Sequence, residues 1–150
     1  MERTLILAKP DAVQRGLVGE LITRFERRGL KIVGLKLTNV STALAQEHYK
    51  EHVGKAFFKG LVDYITCCPV VAMVVQGPNA IEIARTTIGS TNPVAAAPGS
   101  IRGDLGVSIG RNLVHGSDGP ASAAREVSLF FKPDELFEYE SGSDRWVLES

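Results

Sequence analysis

Cysteine is nearly absent from this chain of 150 residues: the only two, Cys67 and Cys68, are neighbours and cannot staple distant segments together. A bridge between adjacent cysteines strains the geometry a disulfide requires, so two reduced thiols and a reducing compartment are expected. An excess of charge is also lacking, because 17 Lys and Arg residues balance 17 Asp and Glu residues. No net field draws the chain to nucleic acid or anionic lipid, and no basic-aromatic stripe marks a nucleic-acid surface, so neither is expected as a primary partner. Long hydrophobic runs are missing too. The longest, residues 70–75, falls far short of the roughly 20 residues that span a bilayer. The N-terminus passes straight into an apolar strand with no leader pattern, which makes the cytoplasm the expected location. Asn39-Val40-Ser41 matches a glycosylation sequon, but in a chain not expected to be secreted the match is chance.

Familiar phosphate and metal motifs are likewise absent. Gly54-Lys55-Ala56 has the Gly-Lys pair of a P-loop without the following Ser or Thr or the upstream glycine spacing. Gly103, Gly106 and Gly110 do not make the dinucleotide fingerprint. No Cys/His set has zinc spacing.

What remains suits one domain, residues 1–150, large enough to bury roughly two thirds of the surface its unfolded form exposes. Residues 4–8 read as a buried strand. Leu17, Val18, Leu21, Ile22 and Phe25 repeat at helical spacing, and Gly29 is a natural stop. Val33, Leu35 and Leu37 alternate with Gly34, Lys36 and Thr38, which predicts a half-buried strand. A short helix is expected over 42–50, capped by Ser41 or Thr42. Another presents Phe58, Leu61, Val62 and Ile65 on one face. Residues 70–75, apolar on both faces, predict a central strand covered on both sides. Gly77-Pro78-Asn79 makes a turn into a helix carrying Ile81, Ala84 and Ile88. From Gly89 to Gly110 the chain is rich in Gly, Pro, Ser, Thr, Asn and Ala, and an ordered loop of that length is usually functional. A short strand over 112–115 and a helix over 120–132, with Ala124, Val127 and Phe131 on one face, complete the pattern. The order fits an α+β sandwich of the ferredoxin-like βαββαβ kind, with a four-stranded, mainly antiparallel sheet, added helices and a long Gly/Pro-rich loop. A flavodoxin-like sheet is the rival.

The chemistry concentrates around Asn112-Leu113-Val114-His115-Gly116-Ser117-Asp118. A histidine at a strand end beside a glycine can be approached closely by a ligand. Arg102 and Arg111 lie just upstream, and arginines clamp phosphate oxygens. A histidine near neutral pKa keeps a free nitrogen lone pair and can attack phosphorus. An ordinary turn histidine satisfies the same pattern, and residue chemistry alone does not choose between the two.

The same segment resembles the Asn-x-x-His-Gly-Ser-Asp signature of nucleoside diphosphate kinases, and matches it completely. Thr4-Leu5-Ile6-Leu7-Ala8-Lys9-Pro10-Asp11, Gln14-Arg15-Gly16-Leu17-Val18-Gly19-Glu20, His48-Tyr49, Phe57-Phe58, Gly89 with Thr91-Asn92-Pro93, and Pro98-Gly99-Ser100-Ile101-Arg102-Gly103-Asp104 follow in that family's order. The resemblance implies ping-pong transfer of the γ-phosphoryl of ATP to any nucleoside diphosphate through a phosphohistidine at His115, with Mg2+ carried on the nucleotide phosphates. It implies that Lys9 contacts phosphate and the ribose 3′-hydroxyl, that Tyr49 stands near the phosphates, and that Phe57 stacks on the base. Arg85, Thr91 and Arg102 would meet phosphate and Asn112 the ribose, while Ser117 and Glu126 support the histidine and Asp118 shapes the nucleotide end. It also implies a homo-oligomer, a hexamer with a tetramer as the alternative. The loop over 93–111 would make trimer contacts, and Trp146-Val147-Leu148 would dock on a neighbour. The chain departs from the family's usual pattern at Ala12 in place of glycine, His52 in place of leucine, Ala56 in place of proline, Val75-Gln76 in place of Trp-Glu, and Cys67-Cys68 before Pro69. Ala12 costs about 1 kcal/mol if its position requires positive φ. A catalytically quiet relative that binds nucleotide or a partner is the competing reading, which loss of the histidine, lysine or arginine would favour; all are present.

Overall fold

The computed structural model describes residues 1–149. Strand β1, Glu2–Ala8, leads into a short helix α1, Pro10–Gln14, and then α2, Val18–Arg28. Gly29 ends α2 at φ 101°, a left-handed conformation that only glycine adopts without cost. Strand β2, Lys31–Thr38, is followed by α3, Thr42–His48, and α4, Phe58–Thr66. Ser41 caps α3, its hydroxyl accepting from the Leu44 amide at 3.1 Å. Strand β3, Val70–Gly77, turns through Asn79 into α5, Ala80–Ile88. The Gly-rich stretch holds one element that hydrophobic periodicity does not reveal, α6, Ile101–Leu105, capped by Ser100. Strand β4, Val114–Gly116, precedes α7, Pro120–Phe130, and a last short helix, α8, Asp144–Val147.

The four strands pair in the order β2-β3-β1-β4, every pair antiparallel, which is the expected ferredoxin-like sheet. Alternate residues of β1 and β3 enter opposite faces. Ile6, Ala8, Val71, Met73 and Val75 join Leu21 and Phe25 of α2 and Ala84 and Ile88 of α5 on one side. Leu5, Leu7, Val70, Ala72 and Val74 join Ala45, Val62, Ile65 and Phe130 on the other. Covering both faces explains why residues 70–75 are apolar without alternation. Each fully buried large side chain contributes about 1.5–3 kcal/mol. Among the described residues no helix is long and apolar enough to cross a membrane.

Three expectations are corrected. The simple alternation in β2 fails because the strand carries a bulge between Ile32 and Gly34 and lies at the sheet edge. Val33 is buried, while Leu35 and Leu37 are left 50% and 66% exposed. The expected stripe of α7 fails at Ala124, which is exposed; Ala123, Glu126 and Phe130 are buried beside Phe131, and Val127 packs on the core from the helix edge. A glutamate on the inner face disguised that stripe. Ala12 sits inside α1 at a negative φ, fully buried, so it carries no backbone penalty. Of the other departures, Val75 is fully buried in the core and Gln76 accepts from Arg3 at 2.8 Å. The C-terminal segment packs on its own chain, with Val147 against Gly29 and Lys31 paired with Asp144 at 2.8 Å, while Trp146 stays 79% exposed.

Candidate active site

Strand ends and one kinked residue gather the site. Lys9 follows β1 and is tied back to the segment before β4 by its amide, which donates to the Leu113 carbonyl at 2.9 Å. Leu113 is fully buried at φ 73°, a conformation that costs a non-glycine residue about 1–3 kcal/mol. Its side chain is locked in the core, and its amide donates to Asp11 Oδ2 at 3.0 Å. The other oxygen of Asp11 accepts from the Tyr64 hydroxyl at 2.6 Å. This brace over-determines the kink that turns Asn112 toward Lys9. Asn112 Oδ1 accepts from Lys9 Nζ at 2.8 Å, and its amide nitrogen donates to the Thr91 carbonyl at 3.1 Å.

His115 lies in β4 opposite Leu7, its side chain 20% exposed. Its Nε2 is 2.7 Å from Glu126 Oε1, which also accepts from the Ser117 hydroxyl at 2.9 Å. Burial pushes the Glu126 carboxyl up, but the hydrogen bond and charge of His115, with help from Ser117, more than offset it and hold the pKa below its ordinary value. An ionised carboxylate only accepts, so Nε2 donates to Glu126; when the ring is neutral the lone pair is therefore on Nδ1. Among the described residues none hydrogen-bonds Nδ1. The glycine after the histidine has a different use from the one its sequence suggests. A Cβ on Gly116 would meet Ile88 Cδ1 at 2.7 Å, so its bareness admits α5 against β4.

Behind His115 stands His48, which sequence reasoning passed over beyond noting the His48-Tyr49 pair. The two rings meet edge to face, with centroids 4.8 Å apart, and His48 also abuts Tyr49 and Phe130. Burial first, then His115, lowers the His48 pKa to about 3, so this ring is a neutral wall. Tyr49, half-buried beside it, has its phenol pushed up to about 12 by burial and the Glu126 charge.

Cations line the opposite side. Arg102, only 8% exposed, donates to the carbonyls of Asn112 at 3.1 Å, Gly89 at 3.1 Å and Val114 at 2.6 Å. Burial and then Arg85 lower it to about 10, which leaves it charged at neutral pH. Burial, then Arg102, pushes Lys9 down to about 8. Arg85 is half-exposed and pairs with Asp118 at 2.8 Å. Arg125, unremarked in the sequence, also reaches the cleft and donates to the Glu47 carbonyl at 3.1 Å. Its adjacency to Glu126 was the one available signal.

These groups surround a cleft of about 270 Å³. It brings together eight of the candidate residues, Lys9, Tyr49, Arg85, Thr91, Arg102, Asn112, His115 and Glu126. Two expected residues do not line it. Ser117 is buried and donates to Glu126. Phe57 stands outside, 52% exposed, with its ring 5.2 Å from that of His52, which does line the cleft. Among the described residues, the one grouping that could share a cation is His48, His115 and Glu126, with ligand atoms within 4.8 Å. Two imidazoles and one carboxylate suit a borderline transition ion, whereas Mg2+ takes oxygen ligands. A histidine with a free nitrogen facing several cations is equipped to exchange a phosphoryl group.

Comparison with known proteins agrees with that chemistry. The sequence pattern of the family described as "Nucleoside diphosphate kinase" matches residues 2–136. Nucleoside diphosphate kinases of Pelotomaculum thermopropionicum and Archaeoglobus fulgidus are 61% and 58% identical over 149 residues, covering 99% of this chain and 100% and 99% of theirs. A nucleoside diphosphate kinase structure from Halobacterium salinarum in complex with CDP superposes with a TM-score of 0.97 at 49% identity, covering 99% of both chains. A structure from Babesia bovis of the same family superposes with a TM-score of 0.97 at 46% identity, covering 99% of this chain and 100% of that one. The chain belongs to the nucleoside diphosphate kinase family of phosphotransferases.

Proposed function

We propose that this single-domain enzyme transfers the γ-phosphoryl of ATP to nucleoside diphosphates in two half-reactions through His115. The observation that carries the reading is the 2.7 Å contact between Nε2 and Glu126, which leaves Nδ1 without a described partner on a histidine that lines the cleft. Nδ1 attacks the γ-phosphorus, the N–P bond forms, and the bridging P–O bond breaks as ADP leaves. The imidazole keeps its Nε2 proton throughout, and Glu126 offsets the positive charge the ring gains. In the second half a β-phosphate oxygen of the incoming diphosphate attacks the same phosphorus and the N–P bond breaks. The phosphoramidate retains high transfer potential, so the work left to the protein is positioning and charge neutralisation.

Lys9, Arg85 and Arg102 converge where the phosphates would lie, with Thr91 beside them. Asn112, held between Lys9 and the Thr91 carbonyl, meets the ribose. Arg85 exchanges Asp118 for a phosphate oxygen, since both side chains are exposed enough to part. Mg2+ would be held on the nucleotide phosphates and would supply charge neutralisation there, beside Lys9, Arg85 and Arg102. Phe57 offers a π-face at the mouth, and stacking accepts every base. Exposed Val94, Val107 and Ile109 on the loop and Leu35 and Leu37 on the sheet edge support assembly into a hexamer. Two free thiols agree with the cytoplasm.

Mixing the protein with Mg2+ and γ-labelled ATP, then quenching without acid, tests the reading. The expected result is label on the protein that is acid-labile, absent in His115→Ala and discharged by GDP. Nucleotide binding with no labelled protein would overturn it in favour of a quiet binding protein.

A further inference from the structure

Nothing in the phosphotransfer reading uses Cys67 and Cys68. Cys67 caps the C-terminus of α4, its amide donating to the Tyr64 carbonyl at 3.2 Å, and Pro69 stops the helix before β3 begins at Val70. The turn is therefore fixed from both sides. It holds the two sulfurs 3.2 Å apart, with Cys67 exposed and Cys68 half-buried. The separation is far longer than the about 2.05 Å of a disulfide. Closing it would also require the strained ring that adjacent cysteines form. The Cys67 thiol is pushed up, first by its hydrogen bond with Cys68 and then by burial, which keeps it protonated and slows oxidation.

A single bridging atom fits better. Held by sulfur bonds of about the 2.3 Å typical of metal–thiolate bonds and meeting at nearly a right angle, it keeps two sulfurs about 3.3 Å apart. A tetrahedral zinc ion spreads its thiolates wider and needs four ligands. Among the described residues, no His, Asp or Glu completes such a set with Cys67 and Cys68, the only grouping of three lying at His48, His115 and Glu126. The turn thus offers two sulfurs and no more. Pyramidal trivalent arsenic bearing one carbon substituent needs that number.

We propose that Cys67 and Cys68 form a chelating dithiol site for trivalent organoarsenicals. The exchange is redox-neutral. Two As–S bonds form, two As–O bonds of the arsenous acid break, and each thiol proton leaves with a hydroxide as water. Arsenic stays trivalent. Neither sulfur lines the nucleotide cleft, so the site and the phosphotransfer site are independent.

Phenylarsine oxide added to the full chain tests this, read by intact mass and by titration of free thiols. The expected result is one phenylarsine per chain, with both thiols lost together. The adduct should withstand excess glutathione, come off with 2,3-dimercaptopropanol, and form equally in saturating ATP and Mg2+. Cys67→Ser and Cys68→Ser should each weaken retention by about 100-fold or more, the loss expected when a second tethered contact is removed. Both variants should keep kinase activity, which reports that they are folded. No adduct, an adduct that survives either substitution, or one that nucleotide displaces would overturn the proposal.

Discussion

The inner end of the cleft and its mouth are built differently. At the inner end the side chains are tied down by hydrogen bonds: Glu126 holds His115 and Ser117, Asn112 bridges Lys9 and Thr91, and Arg102 grips three backbone carbonyls. At the mouth, Phe57 is half-exposed and touches its neighbours loosely, with the His52 ring at 5.2 Å and Lys55 Nζ at 5.7 Å. On the proposed reading, rigidity is concentrated where bonds change, because small misplacements there are expensive in rate. Looseness sits where, on that reading, any base must fit. The contrast predicts that inner substitutions act on turnover and stability, and mouth substitutions on affinity alone.

The largest effect is expected from His115→Ala. Removing the proposed nucleophile should lower phosphotransfer by about four orders of magnitude or more, while nucleotide affinity stays within a few-fold. Measuring kcat beside direct nucleotide binding checks both halves. Equal loss of binding would break the comparison, because it would make the histidine a general support of the site.

Arg102→Ala comes next, since this residue belongs to the fold as much as to the cleft. It should cost on the order of 2–4 kcal/mol by stranding three carbonyls. Thermal unfolding should show a Tm lower by roughly 5–15 °C. Rate should also fall by about 100-fold, as for other lost charge contacts to a transition state. Unchanged Tm would mean that the three bonds are incidental.

Two pH effects sharpen the picture of the inner end. Lys9, pushed down to about 8, must be charged to hold phosphate, so kcat/KM should fall as pH rises through about 8. Because Arg102 is part of the cause, Arg102→Ala should move that limb upward. On stability the sign is opposite. Between about 8 and the ordinary 10.5 the unfolded chain binds a proton that the native chain has lost, so Lys9 adds stability as pH rises through that window. His48 acts alike at lower pH: neutral in the fold down to about 3, it contributes stability that is lost as pH falls below 6.5. Denaturant unfolding at pH 7 and pH 5 should show a loss that shrinks by a few kcal/mol or less in His48→Gln. An unchanged pH dependence in that variant would remove His48 from the account.

How much of this was legible in the sequence follows from range. The runs at 4–8 and 70–75 and the Gly29 stop are local patterns, and each became the element it announced. The bulge at Ile32/Gly34 and the five-residue α6 are not periodic, so Leu35, Leu37 and Ile101 were misjudged or missed. Glu126 lay hidden among apolar positions of α7 because burial of a charge makes sense only once His115 and Ser117 are brought to it. The resemblance in motifs named the residues around the cleft. It did not show that Arg102 is a cross-brace, that His48 packs against His115, or that Phe57 lies outside the cleft, since each depends on contacts between segments far apart in the chain.

The smallest expected effect tests the mouth itself. Phe57→Ala removes the exposed ring and, with it, stacking that is typically about 1–3 kcal/mol per base. No described hydrogen bond of the inner site passes through Phe57, so His115 and Arg102 should keep their geometry and kcat should hold. KM should rise by about 10-fold, and by similar factors for GDP, UDP and CDP, because every base has a π-face. His52→Leu should change KM less, since its ring is tilted 59° from that of Phe57 and cannot complete a parallel sandwich with it. If one base alone suffers in Phe57→Ala, recognition at the mouth is selective and the contrast between a rigid inner end and a permissive mouth fails. If all suffer equally with kcat intact, binding and chemistry are separated along the length of one small cleft.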